Sequence, residues 1–595
     1  MASDKAISFL EGPGIHLIPT NKLSTPTGSR FGHFYVKANG RLSSSSRNED
    51  WAIFLDGIFI HESPSAINDA DYALELFLSK GIDAFQEVNG FFNILVISTS
   101  GDQVFFISDL LCSKTWYVYN NKNIISVSST PVTFSEIDLE MSISPQALYE
   151  QIRLLHTGSN RTLMQEVKRV LPGFSYKIED GKKLKQNRVT VFKQEVDSSL
   201  SLEDCAKLQT DICSNIVKGV LSHEKLRDLP VQLPLTGGLD SRHLLGELIQ
   251  QDATPDLFCH VRIQEKDYKP VKKIADELNV PLKAQTLSEL DTGDLLLRWM
   301  NRSAGLVNIH QYYLFAVKNQ ISESSSISFN GYLMDLLMGM AVKTDSLTAK
   351  SPHKPVWNRT YSSPTIRKLL IPDEKHWESV TEKLFVDEIE NYEGEPWYRM
   401  LMLDLHHRGL HYTGIVDSTV SEEVFSFSPA ASKDIYHFAA RAPHNIAGDK
   451  KARLNALQKY FPKIASYPGV EGIPFSEMTI RKEIIERPLK KNLKILAKAV
   501  GSGFKSGEKN ESEHSWIRNH TELHTIHKTV VNNSELVKDG YLYSRGVKTS
   551  WFINEMGGYQ GWTLMSILSA EIAYRILVKK QPPNKILKWL FESVK

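Results

Sequence analysis

The sequence predicts two folded units in series. The first, residues 1–195, is an α+β domain of layered antiparallel sheets; the second, 196–595, is an α/β domain on a doubly wound parallel sheet with a helical C-terminal part. Three observations predict this. From about residue 30 to 180 the chain runs in short alternating or β-branched stretches between turn residues. From about 200, strand-like apolar runs alternate with amphipathic helical ones, the order of a parallel sheet. After about 385 helical spacing dominates. At 595 residues the chain also exceeds what one core supports.

In the first unit the strands are WAIFLDGIFI (51–60), FFNILVIST (91–99), QVFFISDLL (103–111), TWYVYNN (115–121) and NIISVSST (123–130). One helix stands among them, ADYALELFLSKG (70–81), with Gly81 as its stop. Strands this short with so few helices imply antiparallel layers.

In the second unit SLEDCAKLQTDICSNIVKGVLSH (201–223) is a helix, capped by Ser201 with acids in its first turn. LPVQLPLTGGLDSRHLLGELIQ (229–250) reads as strand, glycine turn, helix. LFCHVRI, KPVKKIADELN and PLKAQTL continue as strand, helix, strand, and ISFNGYLMDLL (327–337) gives a fourth strand and turn. Binding sites in such sheets lie beyond the strand C-termini. PWYRMLMLDLHHRGLHYTG (396–414) and IRKEIIERPLKKNLKILAKAV (480–500) are helical, whereas 343–367 and 501–515 read as long polar loops. No internal repeat is present.

Bulk properties narrow the function. Seventy Lys+Arg against 69 Asp+Glu leave a net charge of +1, which gives no reason to expect a nucleic-acid partner. Cys112, Cys205, Cys213 and Cys259 are scattered without a CxxC pair, as expected of thiols in a reducing compartment. The N-terminus lacks a signal-peptide pattern, and the longest apolar candidate, IAYRILV, is broken by Arg575. A cytoplasmic protein without a membrane partner is expected.

The strongest chemical signal is Thr236-Gly237-Gly238-Leu239-Asp240-Ser241-Arg242, between a strand and a helix. Glycines let backbone N–H groups approach phosphate oxygens, and the helix N-terminus favours the anion. Thr236 and Ser241 add hydroxyls. Asp240 has the wrong sign for phosphate, so it points to Mg²⁺. A plain turn before a capped helix is the bland alternative. The Gly-Lys-Ser/Thr ending of a Walker A loop is missing.

TGGLDSR resembles the pyrophosphate loop of ATP-pyrophosphatases, specifically of asparagine synthetases, β-lactam synthetases and lasso-peptide cyclases. Residues 55–61, 88–96, 106–130 and 161–173 are similar to segments of that family's glutaminase domain. The resemblance implies a degenerate Ntn-hydrolase-like sandwich, joined to an adenine nucleotide α-hydrolase-like ATP-pyrophosphatase domain. It also implies ATP and Mg²⁺ as cofactors. Asn330-Gly331-Tyr332-Leu333-Met334-Asp335 resembles the family's second signature, so Gly331 is expected at the nucleotide and Asp335 beside Asp240 on Mg²⁺. Gly448-Asp449-Lys450-Lys451-Ala452-Arg453-Leu454 resembles its lysine motif, which makes Lys451 the preferred catalytic lysine and Lys450 the fallback.

Three departures are informative. Ala2 stands where the family's nucleophilic cysteine follows the initiator Met, Asp56 replaces the oxyanion-hole Asn, and Ser108-Asp109 replaces Arg-Asp. Glutamine hydrolysis needs a nucleophile and oxyanion donors together, so none is expected. Tyr332 matches a β-lactam synthetase tyrosine that helps to deprotonate the amine; it is expected to share a strand-end crevice with Asp335, with Glu374 and Glu378 as candidate partners.

The expected reaction is adenylation of a carboxylate, small or peptidic, followed by attack of an amine. A lasso-peptide macrocyclase or β-lactam-type ring closer is the alternative within the class, and would bring a precursor peptide and its leader protease as partners. A non-catalytic scaffold is the alternative outside it. His310, His406, His407, His411 and His444 lack metal-ligand spacing. Tyr312, Tyr313 and Phe315 read as core, and Lys490, Lys491 and Lys494 as a solvated helix face.

Overall fold

A computed structural model describes residues 14–22, 28–61, 68–261, 265–286, 291–310, 325–340, 351–414, 424–469, 473–478 and 513–592. Ala2, Tyr312, Tyr313, Phe315, Lys490, Lys491, Lys494 and the helix expected over 480–500 lie outside these residues, as do 343–350 and 501–512 of the expected loops.

The N-terminal region is two stacked six-stranded sheets. One runs in space through Val167–Arg169, Tyr117–Asn121, Ile124–Ser128, Gly14–Pro19, Phe34–Asn39 and Ser29–Phe31. The other runs through Lys183–Arg188, Phe174–Glu179, Gln103–Ser108, Gly90–Ser98, Trp51–Phe59 and Ser43–Arg47. The paired strands are antiparallel, and each of the five expected strands is among them. Period-two alternation gives each strand an inner face: Ile15, Leu17, Phe54, Leu95, Phe106, Trp116 and Val127 meet between the layers. On the outer face of the second sheet, Ile53, Leu55, Ile94 and Val96 pack with Ala73 and Leu74 of helix Asp69–Lys80. That helix is capped by Asn68 and ends at Gly81. The sheets begin earlier than the sequence suggested, at Gly14, because GIHLIP is a fully buried run without alternation.

The second region holds a five-stranded sheet ordered Leu282–Thr286, Asp256–Val261, Val231–Pro234, Ser326–Phe329, Val424–Phe427, with parallel pairs throughout. In chain order this is third, second, first, fourth, fifth. The winding therefore reverses between Val231–Pro234 and Ser326–Phe329, the switch point beyond whose strand C-termini sheets of this kind bind ligands. Helix Leu202–Ser222 precedes the sheet with a full capping box between Ser201 and Asp204. The last strand, VFSF, is not among the strands expected from the sequence.

Two sequence expectations are corrected. Residues 351–367 are not a loop: they hold helices Lys354–Trp357 and the start of Pro364–Leu370, each opened by a proline in its first turn. Residues 513–515 open helix Glu513–Asn519. In addition, Gly561–Val578 is long and apolar enough to cross a membrane, yet 89% of it is buried inside the protein. Within it Glu571 accepts from Ser534, from the backbone of Glu535 and Leu536, and from Arg575. It is a core helix.

The two regions share one core. Ile18, Tyr117, Phe134 and Ile152 belong to the same apolar cluster as Leu233, Phe329 and Leu568. Their connection runs from Arg188 to Leu202 over the second region, where the backbone of Gln194, Glu195 and Asp197 donates to Glu393, Ala440 and Arg441. The division expected at 195/196 falls within that connection.

Candidate functional site

The TGGLDSR turn leaves strand Val231–Pro234 and enters helix Leu239–Gln250. Its side chains tie it internally: Ser241 Oγ accepts from the Thr236 N–H at 3.0 Å, and Thr236 Oγ1 accepts from the Gly238 N–H at 3.1 Å. No side chain caps the helix at Gly238, so its first-turn N–H groups are available to an anion. Leu239 packs into the core and anchors the turn. Arg242 is fully buried; its guanidinium donates to the carbonyls of Tyr467 at 2.7 Å and Pro468 at 2.5 Å. It braces the 467–468 segment against the helix.

The neighbouring strand, Ser326–Phe329, delivers the second signature. Asn330 stitches it in place: its N–H donates to Phe427 O, its Nδ2 to Ser426 Oγ, and its Oδ1 accepts from Tyr332 N–H, all at 3.0 Å. At Gly331 a Cβ would stand 2.6 Å from Asp240 Cβ, so only glycine lets the two turns close together. Leu333 then takes a left-handed conformation, φ 61°, before a π-helical turn, Met334–Met338.

That turn aims Asp335 at Asp240. The approach of two carboxylates is offset by two cations from the 448–454 motif. Arg453, fully buried, reaches both: Nη1 contacts Asp240 Oδ1 and lies 3.2 Å from Asp335 Oδ1. Lys450 Nζ lies 3.0 Å from Asp335 Oδ2. Burial raises the Asp335 pKa, but Arg453 and Lys450 outweigh it and hold the carboxyl below its ordinary value. Asp240 goes the other way: burial and the Asp335 charge push it up against the pull of Arg453.

Lys451 is elsewhere. Its Nζ donates to the carbonyl of Asn445 at 2.9 Å. The reason is backbone geometry. Asp449 and Lys450 are both left-handed, φ 53° and 67°, and the Lys450 N–H is pinned to Gly339 O at 2.8 Å. This twist turns Lys450 toward Asp335 and Lys451 away. Arg453 was not singled out from the sequence as a site residue. Its signal was an arginine on the Ala456–Leu457 face of helix Lys451–Tyr460, a face that is buried.

Tyr332, expected to share a strand-end crevice with Asp335, is half-buried. It lines a cavity of about 120 Å³ between the two regions, whose lining includes none of Asp240, Asp335, Lys450 and Arg453. Across that cavity from the second region lie Gly14, Asp56, Asn93, Lys114 and Ser129 of the N-terminal sheets. The left-handed Leu333 separates Tyr332 from Asp335. Glu374 and Glu378 are both engaged by Arg367, at 3.3 and 3.4 Å, and do not line this cavity.

At the N-terminal end of the cavity Asp56 is paired with Lys114 at 2.8 Å, so its charge is balanced. Gly14 enters against Ser129: φ is 105°, and a Cβ would stand 2.4 Å from Ser129 Oγ. Cys112 also lines the cavity, but burial and the Asp109 charge push its thiol pKa well up, which keeps it protonated. Asp109 itself organises a turn, accepting from Phe92 N–H and from the backbone and hydroxyl of Ser113.

The five singled-out histidines have separate partners. His406 meets the Tyr392 hydroxyl, His407 meets Glu388, His411 meets Arg169, His310 meets the Tyr412 hydroxyl and His444 meets Met340 O. Among the described residues no group of three or more His, Cys, Asp or Glu side chains is arranged to hold a metal.

Comparison with known proteins bears on the N-terminal region. Residues 62–188 match a family described as a glutamine amidotransferase domain. Among solved structures, the chain resembles glutamine phosphoribosylpyrophosphate amidotransferase from B. subtilis, complexed with ADP and GMP. Identity is 9% and the TM-score 0.21, over 48% of this chain and 62% of that one. A second structure, described as the allosteric regulatory enzyme of purine biosynthesis, shows 8% identity and a TM-score of 0.22, over 48% of this chain and 77% of that one. The chain thus spans less than two thirds of the first of these. No curated protein matches it. The matched segment, 62–188, covers part of the sandwich of antiparallel sheets.

Proposed function

We propose that this protein is an ATP-dependent, AMP-forming ligase that joins a carboxylate to an amine and does not hydrolyse glutamine. The observation that carries the reading is the set Asp240, Asp335, Lys450 and Arg453, drawn from three segments to the ends of two adjacent parallel strands, beside an uncapped helix N-terminus. Such a crevice suits a nucleotide's phosphates. Two carboxylates there are hard oxygen donors; phosphate oxygens and water would complete an octahedron around Mg²⁺. The donor set fits. When bound, the metal would neutralise charge on the departing pyrophosphate.

The chemistry runs in two steps. A carboxylate oxygen attacks the α-phosphorus of ATP, the α–β anhydride bond breaks, and pyrophosphate leaves. The amine nitrogen then attacks the acyl carbon of the adenylate, loses a proton, and AMP departs. The Lys450 ammonium and Arg453 guanidinium are positioned to hold phosphate oxygens. A preorganised cation of this kind is worth far more in a closed crevice than in water.

Absence of glutaminase activity is supported by the cavity lining. Lys114 neutralises Asp56 where the resemblance expects an oxyanion-hole Asn, and Ala2 has no nucleophilic side-chain atom. The amine must then come from solution or from the substrate itself. Tyr332, lining the same cavity, favours a substrate-borne amine as in a ring-closing or peptide-cyclising reaction, whose partners would be a precursor peptide and its protease. Carboxylate-dependent exchange of labelled pyrophosphate into ATP tests the reading. Exchange abolished by Asp335→Asn supports it; ATP turnover without any exchange across a panel of amino-acid and peptide carboxylates overturns it.

A further inference from the structure

Arg453 has the burial of a core residue and the charge of a ligand. Its side chain has no exposed surface, and its Nη1 holds Asp240 and Asp335 together. Its Nε and Nη2 are buried without a hydrogen-bond partner among the described residues. A guanidinium using one nitrogen of three in a buried place is costly unless an anion completes it. The four charges sum to zero: two carboxylates, Lys450 and Arg453. Adding a bare divalent cation would leave two uncompensated positive charges beside a fully buried guanidinium. Adding the cation together with a phosphate chain would not.

We propose that Arg453 makes divalent-metal binding conditional on phosphate. It occupies the carboxylates in the empty site, and it must release Asp240 when the metal arrives. The released guanidinium, with its spare Nε and Nη2 donors, then takes a phosphate oxygen. Metal and phosphate thus enter as a unit, and each is excluded alone. This rests on the nucleotide-binding reading of the crevice.

The inference makes two gain-of-binding predictions in the full-length protein. Arg453→Gln leaves the two carboxylates with only Lys450 against them, so it should bind Mn²⁺ alone at least tenfold more tightly than wild type, read by the paramagnetic resonance of free Mn²⁺. Asp240→Asn frees the guanidinium, so it should bind inorganic pyrophosphate without metal at least tenfold more tightly, read by calorimetry. Failure of either gain in a protein with a normal melting curve overturns the inference. If Arg453→Gln does not fold, the Asp240→Asn arm decides alone. Wild type mixed with Mn²⁺ and a non-hydrolysable ATP analogue separates the two levels: no binding there sinks the nucleotide reading itself, while binding there without the two gains sinks only the role of Arg453.

Discussion

Lys450 reaches Asp335, with Nζ 3.0 Å from Oδ2, while its neighbour Lys451 turns to the carbonyl of Asn445. Two adjacent lysines thus have different fates, decided by the left-handed pair Asp449 and Lys450. Lys450→Met should lower amide formation by about 10²–10³, the loss typical of one preorganised donor. Lys451→Met should change it little. Steady-state rates of both variants check this, and a larger loss at Lys451 would mean that the site rearranges on binding.

The Asp56–Lys114 pair and the lining of the cavity predict no glutaminase activity. Purified protein given glutamine should release no glutamate above a buffer control, with or without ATP. Release that is blocked by a cysteine alkylator would locate a nucleophile in this region, with Cys112 the first to examine.

Tyr332 lines the interdomain cavity. Tyr332→Phe should therefore leave ATP–pyrophosphate exchange nearly unchanged and reduce only the amide-forming step. Equal loss of both activities would place the hydroxyl at the nucleotide.

Asp69 links the two regions. It accepts from Phe59 N–H at 3.1 Å and lies 3.1 Å from His61 and 3.0 Å from His223, the residue closing helix Leu202–Ser222. Burial alone would raise its pKa, yet the bonds from His223, His61 and Phe59 hold it well below the usual carboxylate range. A depressed carboxyl contributes stability that is complete above the unfolded value, about 4, and is lost as pH falls toward the folded one. Asp69→Asn should cost about 2–3 kcal/mol at pH 7. In urea titrations that difference should narrow below pH ~4; a constant difference down to pH 3 would contradict the assignment.

Much of this architecture was legible in the residues. Runs such as WAIFLDGIFI and FFNILVIST declare their inner faces by alternation, and they pair in register from Trp51 with Ser98 to Phe59 with Gly90. The Thr236–Ser241 turn declared itself through its glycines. Strand Val424–Phe427 was obscured because it is short and followed at once by the helical turn at Pro429, and its identity depends on pairing with Ser326–Phe329. The choice between Lys450 and Lys451 depends on two positive φ angles at non-glycine residues, which composition does not announce. Tyr332 and Asp335 are three residues apart and would be neighbours on a regular helix, but a left-handed Leu333 and a π-helical turn intervene, which the residue types do not announce. Arg453 was visible as a charge on an apolar face, a pattern that marks either a buried pair or a ligand site.

ATP should be cleaved between its α and β phosphates at the Asp240–Asp335 cluster. The most direct measurement is chromatography of the nucleotide products formed by purified protein with Mg²⁺, ATP labelled on the α-phosphate, a carboxylate and an amine. The account predicts AMP and pyrophosphate in equal amounts, lost in Asp240→Asn and Asp335→Asn. ADP and inorganic phosphate as the products would contradict it.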